Sequence, residues 1–310
     1  MFSLDMMLWW TIWTFSNMNV AIYGKKINKQ TAAHYVQFLA ILKDFGWNPI
    51  LEKELKDQLI KKVGIASNYD EFSTRSEFKS GIDLAFSIGG DGTFIKTVSY
   101  IRDSQVPILG INTGRLGFLA NISTDNLEET MELVKNKNYV FQKRSLLKIE
   151  TESDIFGDEN IALNEVTLHK KDTASMITVH ASLDGNYLNS YWADGLIVGT
   201  PTGSTAYNLS CGGPIVTPGC QIHLLTPIAP HNLNVRPMVV PDHMPITLSV
   251  EGRERTYLIS LDGESKSIPQ GEVVTVKKAD FMINVIKFQD NNFLDTIRNK
   301  MLWGLDKRNW

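Results

Sequence analysis

The sequence predicts an α/β N-terminal domain with a parallel sheet, followed by an all-β, sandwich-like C-terminal domain. Up to about residue 140, short apolar runs alternate with helix-like segments, which is typical of parallel sheets. Beyond that point the helical pattern fades, and β-rich runs recur at short intervals as in antiparallel sandwiches. The length of 310 residues fits two domains of about 150 residues each.

The N-terminal domain is predicted from strands and helices in alternation. In chain order these are the strand 19–23, the helices 31–45 and 51–63, the strand 82–88, a helix 93–100 and the strand 106–111. Gly46 ends the first helix, since glycine is common just after a helix C-terminus. No Gly-x-Gly-x-x-Gly motif follows the first strand, which argues against a classical dinucleotide oxidoreductase.

The C-terminal domain is predicted from a series of short β-rich runs. They cover residues 148–150, 161–168, 177–183, 195–198, 222–227, 238–240, 246–250, 257–261 and 273–276. An amphipathic helix is predicted over 292–302. The predicted domains are an extended N-terminus outside the fold (1–18), the α/β domain (19–140), the β-rich domain (141–292) and a C-terminal helical tail (293–310).

The N-terminal residues 1–17 differ from the rest of the chain. They are bulky and apolar around residues 8–15 and lack the basic n-region and small-residue cleavage site of a signal peptide. The stretch is also short for a membrane-spanning helix. We expect an over-extended start with the native start at Met18, and a peripheral membrane anchor is the alternative.

Composition indicates a cytoplasmic enzyme. Hydrophobic residues make up 43% of the chain, enough for real cores, and a net charge of -3 gives no electrostatic case for binding nucleic acid or an anionic membrane. Cys211 and Cys220 are the only cysteines, so no disulfide framework is predicted and a reducing compartment fits best.

The first motif with chemical content is Gly89-Gly90-Asp91-Gly92-Thr93, directly after the apolar run 82–88. A strand, two glycines and a helix start form a phosphate-binding turn, because backbone N–H groups can then approach an anion closely. Asp91 is out of place among groups arranged for anions. It either accepts a proton or holds a cation, or it simply caps the helix that follows.

The second motif is the small-residue turn Thr200-Pro201-Thr202-Gly203-Ser204-Thr205-Ala206-Tyr207, which follows a predicted strand at 192–199. So many hydroxyls and glycines suit hydrogen bonding to a polar ligand better than a core, although a solvated loop has the same composition. Asn164-Glu165 interrupts another strand. Both side chains can serve one ligand only if that strand is distorted, since neighbouring strand residues point to opposite faces.

In order and identity the motifs resemble those of the NAD kinases, the family that phosphorylates NAD to NADP. The resemblance runs from about Met18 to the end of the chain. It rests on the glycine loop, Asn112-Thr113-Gly114, Leu116-Gly117-Phe118, Arg144-Ser145-Leu146-Leu147, Asn164-Glu165, Asp194-Gly195, the turn 200–207, Gly212-Gly213-Pro214 and Leu261-Asp262-Gly263. The block 194–214 is the most specific of these, because lipid kinases and phosphofructokinases carry similar glycine loops.

The resemblance implies roles for individual residues. Asp91 would be the general base, in the phosphate loop formed by Gly89, Gly90 and Thr93. The acceptor dinucleotide would be bound by Gly92, Lys96, Asn164, Glu165, Asp194, Thr205, Ala206, Tyr207, Asn208 and Ser210. Asn164 and Glu165 would bind adenine and ribose hydroxyls, and Asp194 the nicotinamide end.

The resemblance also implies the partners. ATP, another nucleoside triphosphate or polyphosphate would be the phosphoryl donor, and magnesium would arrive with it, since the sequence shows no dense cluster of metal ligands. The C-terminal segment would pack back on the first domain, and the chain would form a homodimer or homotetramer.

Two other functions remain open at this point. A lipid or sugar kinase would share the glycine loop but has no use for the Asn164-Glu165 pair or the turn 200–207. A non-catalytic NADP(H)-binding sensor would keep the same binding residues, and the intact Asp91 argues against it.

Overall fold

The computed structural model describes residues 17–24, 27–79, 81–114, 116–171, 176–289 and 292–302. These residues form two compact units: unit 1 is the chain up to Gln142 together with the chain from Ile283 onward, and unit 2 is Lys143–Met282. The boundaries predicted at 140 and 292 stay predictions, and residues 1–16 of the predicted N-terminal extension lie outside the described residues. Within the described part of the chain, no helix has the length and apolar composition needed to cross a bilayer.

The strands and helices are numbered in chain order. The strands are β1 (Asn19–Gly24), β2 (Asn48–Glu52), β3 (Asp70–Phe72), β4 (Leu84–Ile88), β5 (Ile108–Asn112), β6 (Ile122–Ser123), β7 (Val140–Thr151), β8 (Ile161–Ala162), β9 (Glu165–His169), β10 (Ile177–Leu183), β11 (Asn186–Ala193), β12 (Gly195–Gly199), β13 (Ile222–Ile228), β14 (Met238–Pro241), β15 (Ile246–Glu251), β16 (Thr256–Leu261), β17 (Glu264–Pro269) and β18 (Val274–Lys287). The helices are α1 (Lys29–Asp44), α2 (Lys53–Val63), α3 (Asp91–Ile101), α4 (Leu127–Lys135), α5 (Tyr207–Ser210) and α6 (Phe293–Met301).

Unit 1 is built on a parallel sheet with strand order β5-β4-β1-β2-β3. β6 pairs parallel with β5, and so does the end of β18, where Val285 lies opposite Ile108. The chain runs outward from β1 to β3 on one side and returns to place β4 and β5 on the other. The order therefore reverses between β1 and β4, and this topological switch point is where open α/β sheets bind ligands.

The helices of unit 1 form because their apolar residues recur at helical spacing. On α1, Tyr35, Phe38 and Leu42 are fully or almost fully buried, and they share one hydrophobic core with residues of β1, β4 and β5. The α6 segment also belongs to unit 1, so the C-terminal segment packs back on the first domain as expected. The Asn292 side chain caps α6 by accepting the Asp295 N–H at 2.9 Å.

Unit 2 is a sandwich of antiparallel strands, which confirms the predicted fold class. One sheet has the order β14-β13-β12-β9-β16-β17. The other contains β11, β10, β15 and the start of β18. A single core joins inward-facing residues of both sheets, among them Val179 and Val276 from one and Val166, Val198 and Ile259 from the other.

Several predicted elements differ from the observed ones. The helix predicted over 51–63 begins at Lys53, because residues 48–52 form β2 and Glu52 caps the helix by accepting the Leu55 N–H. The strand predicted over 161–168 is broken by a bend at residues 163–164. The strand predicted over 192–199 is broken at Asp194. The predictions also omitted β2, β3, β6, β11, β17, α4 and α5.

Candidate active site

The glycine loop 89–93 follows β4 at the switch point of the unit 1 sheet. Gly24 at the end of β1 lies opposite Ile88 at the end of β4, so both carboxyl ends meet at one edge. A cleft of about 320 Å³ opens there, lined by Tyr23, Gly24, Gly90, Gly92, Thr93 and Lys96. Four residues assigned from the sequence therefore share this cleft, which also lies at the N-terminus of α3.

Close packing requires glycine at two positions of this edge. A Cβ at Gly89 would lie 2.3 Å from Thr93 Oγ1, and a Cβ at Gly24 would lie 1.9 Å from the Tyr35 hydroxyl. The loop thus folds back tightly on the first turn of α3. Gly90 is the N-cap residue and has no side chain, so it makes no capping hydrogen bond to the N–H groups at the start of α3.

Asp91 is the first residue of α3 and is not its cap, so the alternative that it only caps the helix is wrong. Its carboxylate instead accepts three backbone N–H groups from a distant loop. Phe118 donates to Oδ2 at 2.9 Å, and Leu119 and Ala120 donate to Oδ1 at 3.0 and 3.1 Å. The side chain remains 32% exposed. The carboxylate is therefore held in one orientation and still reaches solvent.

Gly117 allows this contact, and replacing it with Ala tests the packing. The new Cβ would lie 2.0 Å from Asp91 Oδ1 and 3.0 Å from the Ala120 carbonyl oxygen. We expect Gly117→Ala to lower the free energy of unfolding by about 1–3 kcal/mol, as overpacking does. Denaturant unfolding measures this. Gly114→Ala is the matched control, because among the described residues its Cβ would meet nothing closer than Asn112 Oδ1 at 3.9 Å. Equal midpoints for both variants would contradict the tight contact.

In unit 2, Asn164 and Glu165 lie at the break between β8 and β9. Asp262 holds this break by accepting three backbone N–H groups: Leu163 donates to Oδ2 at 2.6 Å, and Asn164 and Glu165 donate to Oδ1 at 2.8 and 3.1 Å. Asp262 itself belongs to the turn between β16 and β17, with φ of 49°. The distortion that a shared ligand requires of this strand is thus present, and a carboxylate from another hairpin stabilises it.

The turn 200–207 packs directly on this break. The Thr200 N–H donates to the Asn164 carbonyl at 2.9 Å, and its hydroxyl donates to the Leu163 carbonyl at 2.6 Å. A Cβ at Gly203 would lie 2.1 Å from the Asn164 carbonyl oxygen, so this glycine allows the close approach. Two motifs that are far apart in sequence therefore form one polar cluster within unit 2, and much of it is buried.

Glu165 lies in a largely buried part of this cluster. Burial and, after it, the charge of Asp262 raise the pKa of Glu165 to about 8, and a hydrogen bond from the Tyr207 backbone acts in the opposite direction. Tyr207 and Cys211 are close by, and the Cys211 thiol interacts with the Tyr207 side chain. At neutral pH without ligand this carboxyl is therefore mostly protonated.

The raised pKa makes stability depend on pH. The folded protein keeps the Glu165 proton up to about pH 8, whereas the ordinary value is 4.5, so between these limits the folded state binds more protons than the unfolded state. The free energy of unfolding should therefore fall as pH rises through this window, by at most about 1.4 kcal/mol per pH unit. We expect Glu165→Gln to remove this slope in urea unfolding at pH 6, 7 and 8. Parallel profiles for variant and wild type would contradict the assignment.

The remaining assigned residues of unit 2 lie on and around the same turn. Asp194 occupies the break between β11 and β12 and pairs with Lys170, whose Nζ is 2.6 Å from Oδ1. The Thr205 hydroxyl donates to the Thr202 carbonyl at 3.3 Å, and the Ala206 N–H donates to the Gly203 carbonyl at 2.9 Å. Asn208 is fully buried, and neither amide atom has a partner among the described residues. Ser210 is exposed at the end of α5.

The two units together define a class of protein. A glycine loop at the switch point of a parallel sheet suits a phosphate, and its fixed carboxylate suits proton acceptance beside that phosphate. The β-sandwich contributes a polar cluster with amide, carboxyl and hydroxyl groups. These are the features of an enzyme that transfers phosphoryl groups to a nucleotide-like acceptor.

Comparison with known proteins identifies the family. The model for the ATP-NAD kinase N-terminal domain matches residues 20–139, and that for the ATP-NAD kinase C-terminal domain matches residues 163–288. The NAD kinase of Flavobacterium psychrophilum is 46% identical over 294 residues, covering 94% of this chain and 100% of the relative. That of Bacteroides fragilis is 40% identical over 291 residues, with the same coverage. This chain belongs to the NAD kinase family, a family of phosphotransferases.

Solved structures agree on the fold. Yeast NADH kinase complexed with NADH superposes with a TM-score of 0.84 at 23% identity, covering 94% of this chain and 89% of that chain. An NAD kinase from Archaeoglobus fulgidus in complex with ATP gives 0.71 at 25% identity, covering 92% and 99%. The α/β and β-sandwich architecture is thus that of the family.

Sequence reasoning missed two sets of contacts in these sites. Asp262 was recognised as part of a motif, but its contacts with 163–165 lie 97–99 positions away. The N–H groups of 118–120 are also remote from Asp91 in the sequence. An Asp-Gly pair predicts a hairpin turn and gives no sign of what its carboxylate binds.

Proposed function

We propose that this protein transfers the γ-phosphate of ATP to the 2′-hydroxyl of the adenosine ribose of NAD, giving NADP. The observation that carries the proposal is the Asp91 carboxylate. It belongs to the glycine loop at the switch-point cleft, and it accepts three N–H groups from residues 118–120. In the transfer, the ribose oxygen bonds to the γ-phosphorus while the bond from that phosphorus to the β–γ bridging oxygen breaks. ADP leaves, and the hydroxyl proton passes to Asp91.

The environment of Asp91 suits a general base. A carboxylate offers about four lone-pair sites, so three N–H bonds leave one for the hydroxyl proton. The fixed orientation also removes part of the entropy cost of aligning base and nucleophile. Asp91 is the proposed catalytic residue, and Gly89, Gly90 and Thr93 form the proposed phosphate loop.

Acceptor-binding residues are proposed in each unit taken by itself. Gly92 and Lys96 line the cleft beside Asp91. Asn164 and Glu165 bind adenine and ribose hydroxyls, for which a carboxyl and an amide supply both donors and acceptors. Asp194 binds the nicotinamide end, and the rest of the acceptor contacts Thr205, Ala206, Tyr207, Asn208 and Ser210.

We propose that magnesium enters with the donor. Magnesium usually binds one or two carboxylates together with substrate phosphates. Within the described ranges no three His, Cys, Asp or Glu side chains group as a metal site, and the donor's phosphates would supply most ligands. When bound, the ion would neutralise charge on the transferring phosphate. Polyphosphate offers the same phosphate oxygens and is the alternative donor.

The remaining partners are proposed from charge and exposure. With a net charge of -3 we expect no nucleic acid or membrane partner, and two free cysteines suit the cytoplasm. We propose a homodimer or homotetramer through unit 2, whose edge strand β14 exposes Met238 and Val239. Paired edge strands would cover these apolar side chains.

An assay for NADP formation from NAD, ATP and magnesium tests the proposed reaction. Product formation by the purified protein supports it. NAD binding without turnover would favour the sensor function instead. Absence of both, with phosphorylation of diacylglycerol or a sugar, would favour the other kinases that share the glycine loop.

A further inference from the structure

Helix α6 places a lysine beside the proposed base. Lys300 Nζ lies 3.7 Å from Asp91 Oδ2 and 4.4 Å from the centre of the Phe118 ring. Phe293, at the other end of the helix, contacts the same ring with 6.4 Å between ring centres. Helix α6 thus packs on Phe118, whose N–H donates to Asp91, and its last turn places the Lys300 ammonium group beside the Asp91 carboxylate.

Stability does not explain this ammonium group. Lys300 and Asp91 are 35% and 32% exposed, and exposed ion pairs contribute only about 0–1 kcal/mol. The buried Thr296 and Ile297 already anchor the helix. The position of the Lys300 ammonium group beside the Asp91 carboxylate therefore indicates a functional role.

We propose that Lys300 binds the transferring phosphoryl group and stabilises the negative charge that develops on it. This inference rests on the proposed NAD kinase reaction. The attacking oxygen must lie about 3 Å from the Asp91 carboxylate and about 3–3.5 Å from phosphorus. Phosphoryl oxygens then come within reach of a flexible lysine whose Nζ is 3.7 Å from that carboxylate. A cation supplied at this point acts as an arginine finger does in other phosphoryl-transfer enzymes.

Steady-state kinetics of three variants of the full chain test this role. We expect Lys300→Met to lower kcat by about 10²–10³, the usual loss for one electrostatic contact in a transition state, with the KM for NAD little changed. Lys300→Arg should recover much of that loss, because it keeps the charge. Arg298→Met is the matched control: Arg298 lies on the same helix, 61% exposed, and pairs only locally with Asp295 among the contacts described. It should behave as wild type.

A binding measurement separates charge stabilisation from a structural role. ADP with magnesium and aluminium fluoride imitates the transferring phosphoryl group, and ADP with magnesium alone does not. Lys300→Met should weaken the first complex at least tenfold and leave the second unchanged. Lys300→Gln, which keeps a polar side chain, is the second variant if the Met variant does not fold.

The outcomes distinguish the two proposals. Wild-type kcat in the neutral variant, Lys300→Met or its substitute Lys300→Gln, with NADP formed by the wild type, would overturn the role of Lys300 and leave the proposed function intact. An equal loss in Lys300→Arg and Lys300→Met would also overturn it, because the charge would then be irrelevant. A wild type that forms no NADP would overturn the proposed function itself.

Discussion

Replacing Asp91 with Asn is expected to lower kcat by about 10²–10⁴, the range attributed to a general base. The amide cannot accept the hydroxyl proton, whereas the residues proposed to bind NAD and ATP are unchanged in this variant. Their dissociation constants, measured by calorimetry, should therefore change little. The coupled assay for NADP gives kcat.

The hydrogen bonds that hold Asp91 require a control for this variant. In Asp91→Asn, the NH₂ side of the new amide would face an N–H donor of the 118–120 loop, which costs about 1–3 kcal/mol per unsatisfied group. Asp83→Asn is the matched control, because Asp83 also accepts a backbone N–H, from Asn19 at 2.8 Å, in the same unit. Turnover near wild type in the Asp91 variant would exclude the base role.

Replacing Asp262 with Ala is expected to have the second largest effect. Three N–H groups of the 163–165 break would lose their acceptor, and we expect the free energy of unfolding to fall by about 3 kcal/mol. Asn164 and Glu165 would lose their fixed positions, so the KM for NAD should rise about tenfold or more, equivalent to about 1.4 kcal/mol of binding energy. Denaturant unfolding and the coupled assay measure the two effects.

The chain provides a close control for this variant. Asp184-Gly185 forms the turn between β10 and β11, with φ values of 49° and 76°, and Asp262-Gly263 has 49° and 92°. Asp184→Ala therefore makes the same change in the same backbone geometry, without three N–H partners on another loop. Equal losses in both variants would show that the turn geometry, and not the clamp on 163–165, determines the effect.

Local sequence patterns predicted the elements with strong signals. The buried strand before Gly89 and the alternating β/α order indicated the parallel sheet and the phosphate loop. Edge strands were harder to predict. β17 lies at a sheet edge and is largely polar, which protects an edge but hides the strand from a search for apolar runs. β11 also lies at an edge, and its asparagine and serine residues interrupt the aromatic and aliphatic ones. Helix α4, of nine residues, was missed although its buried Leu127, Met131 and Val134 recur at helical spacing.

The site was predictable as a set of residues but not as an arrangement. Asp91 and Asn164-Glu165 were indicated by residue type and by resemblance to a family. Their partners come from distant parts of the chain: residues 118–120 and Lys300 contact Asp91, and Asp262 contacts 163–165. Such contacts depend on tertiary structure, and a local pattern carries no information about them.

The division of the chain also sets an order for folding during synthesis. Unit 2 is a continuous segment inserted in unit 1, which needs residues on both sides of it. Domains fold as units while the ribosome releases them, usually from the N-terminus onward. Here the inserted β-sandwich can fold first. The sheet of unit 1 gains the end of β18, which pairs with β5, only afterwards. Asp91 therefore meets Lys300 only after α6 has been synthesised, so a chain cut before α6 would contain every strand of the sandwich but not the lysine beside the carboxylate.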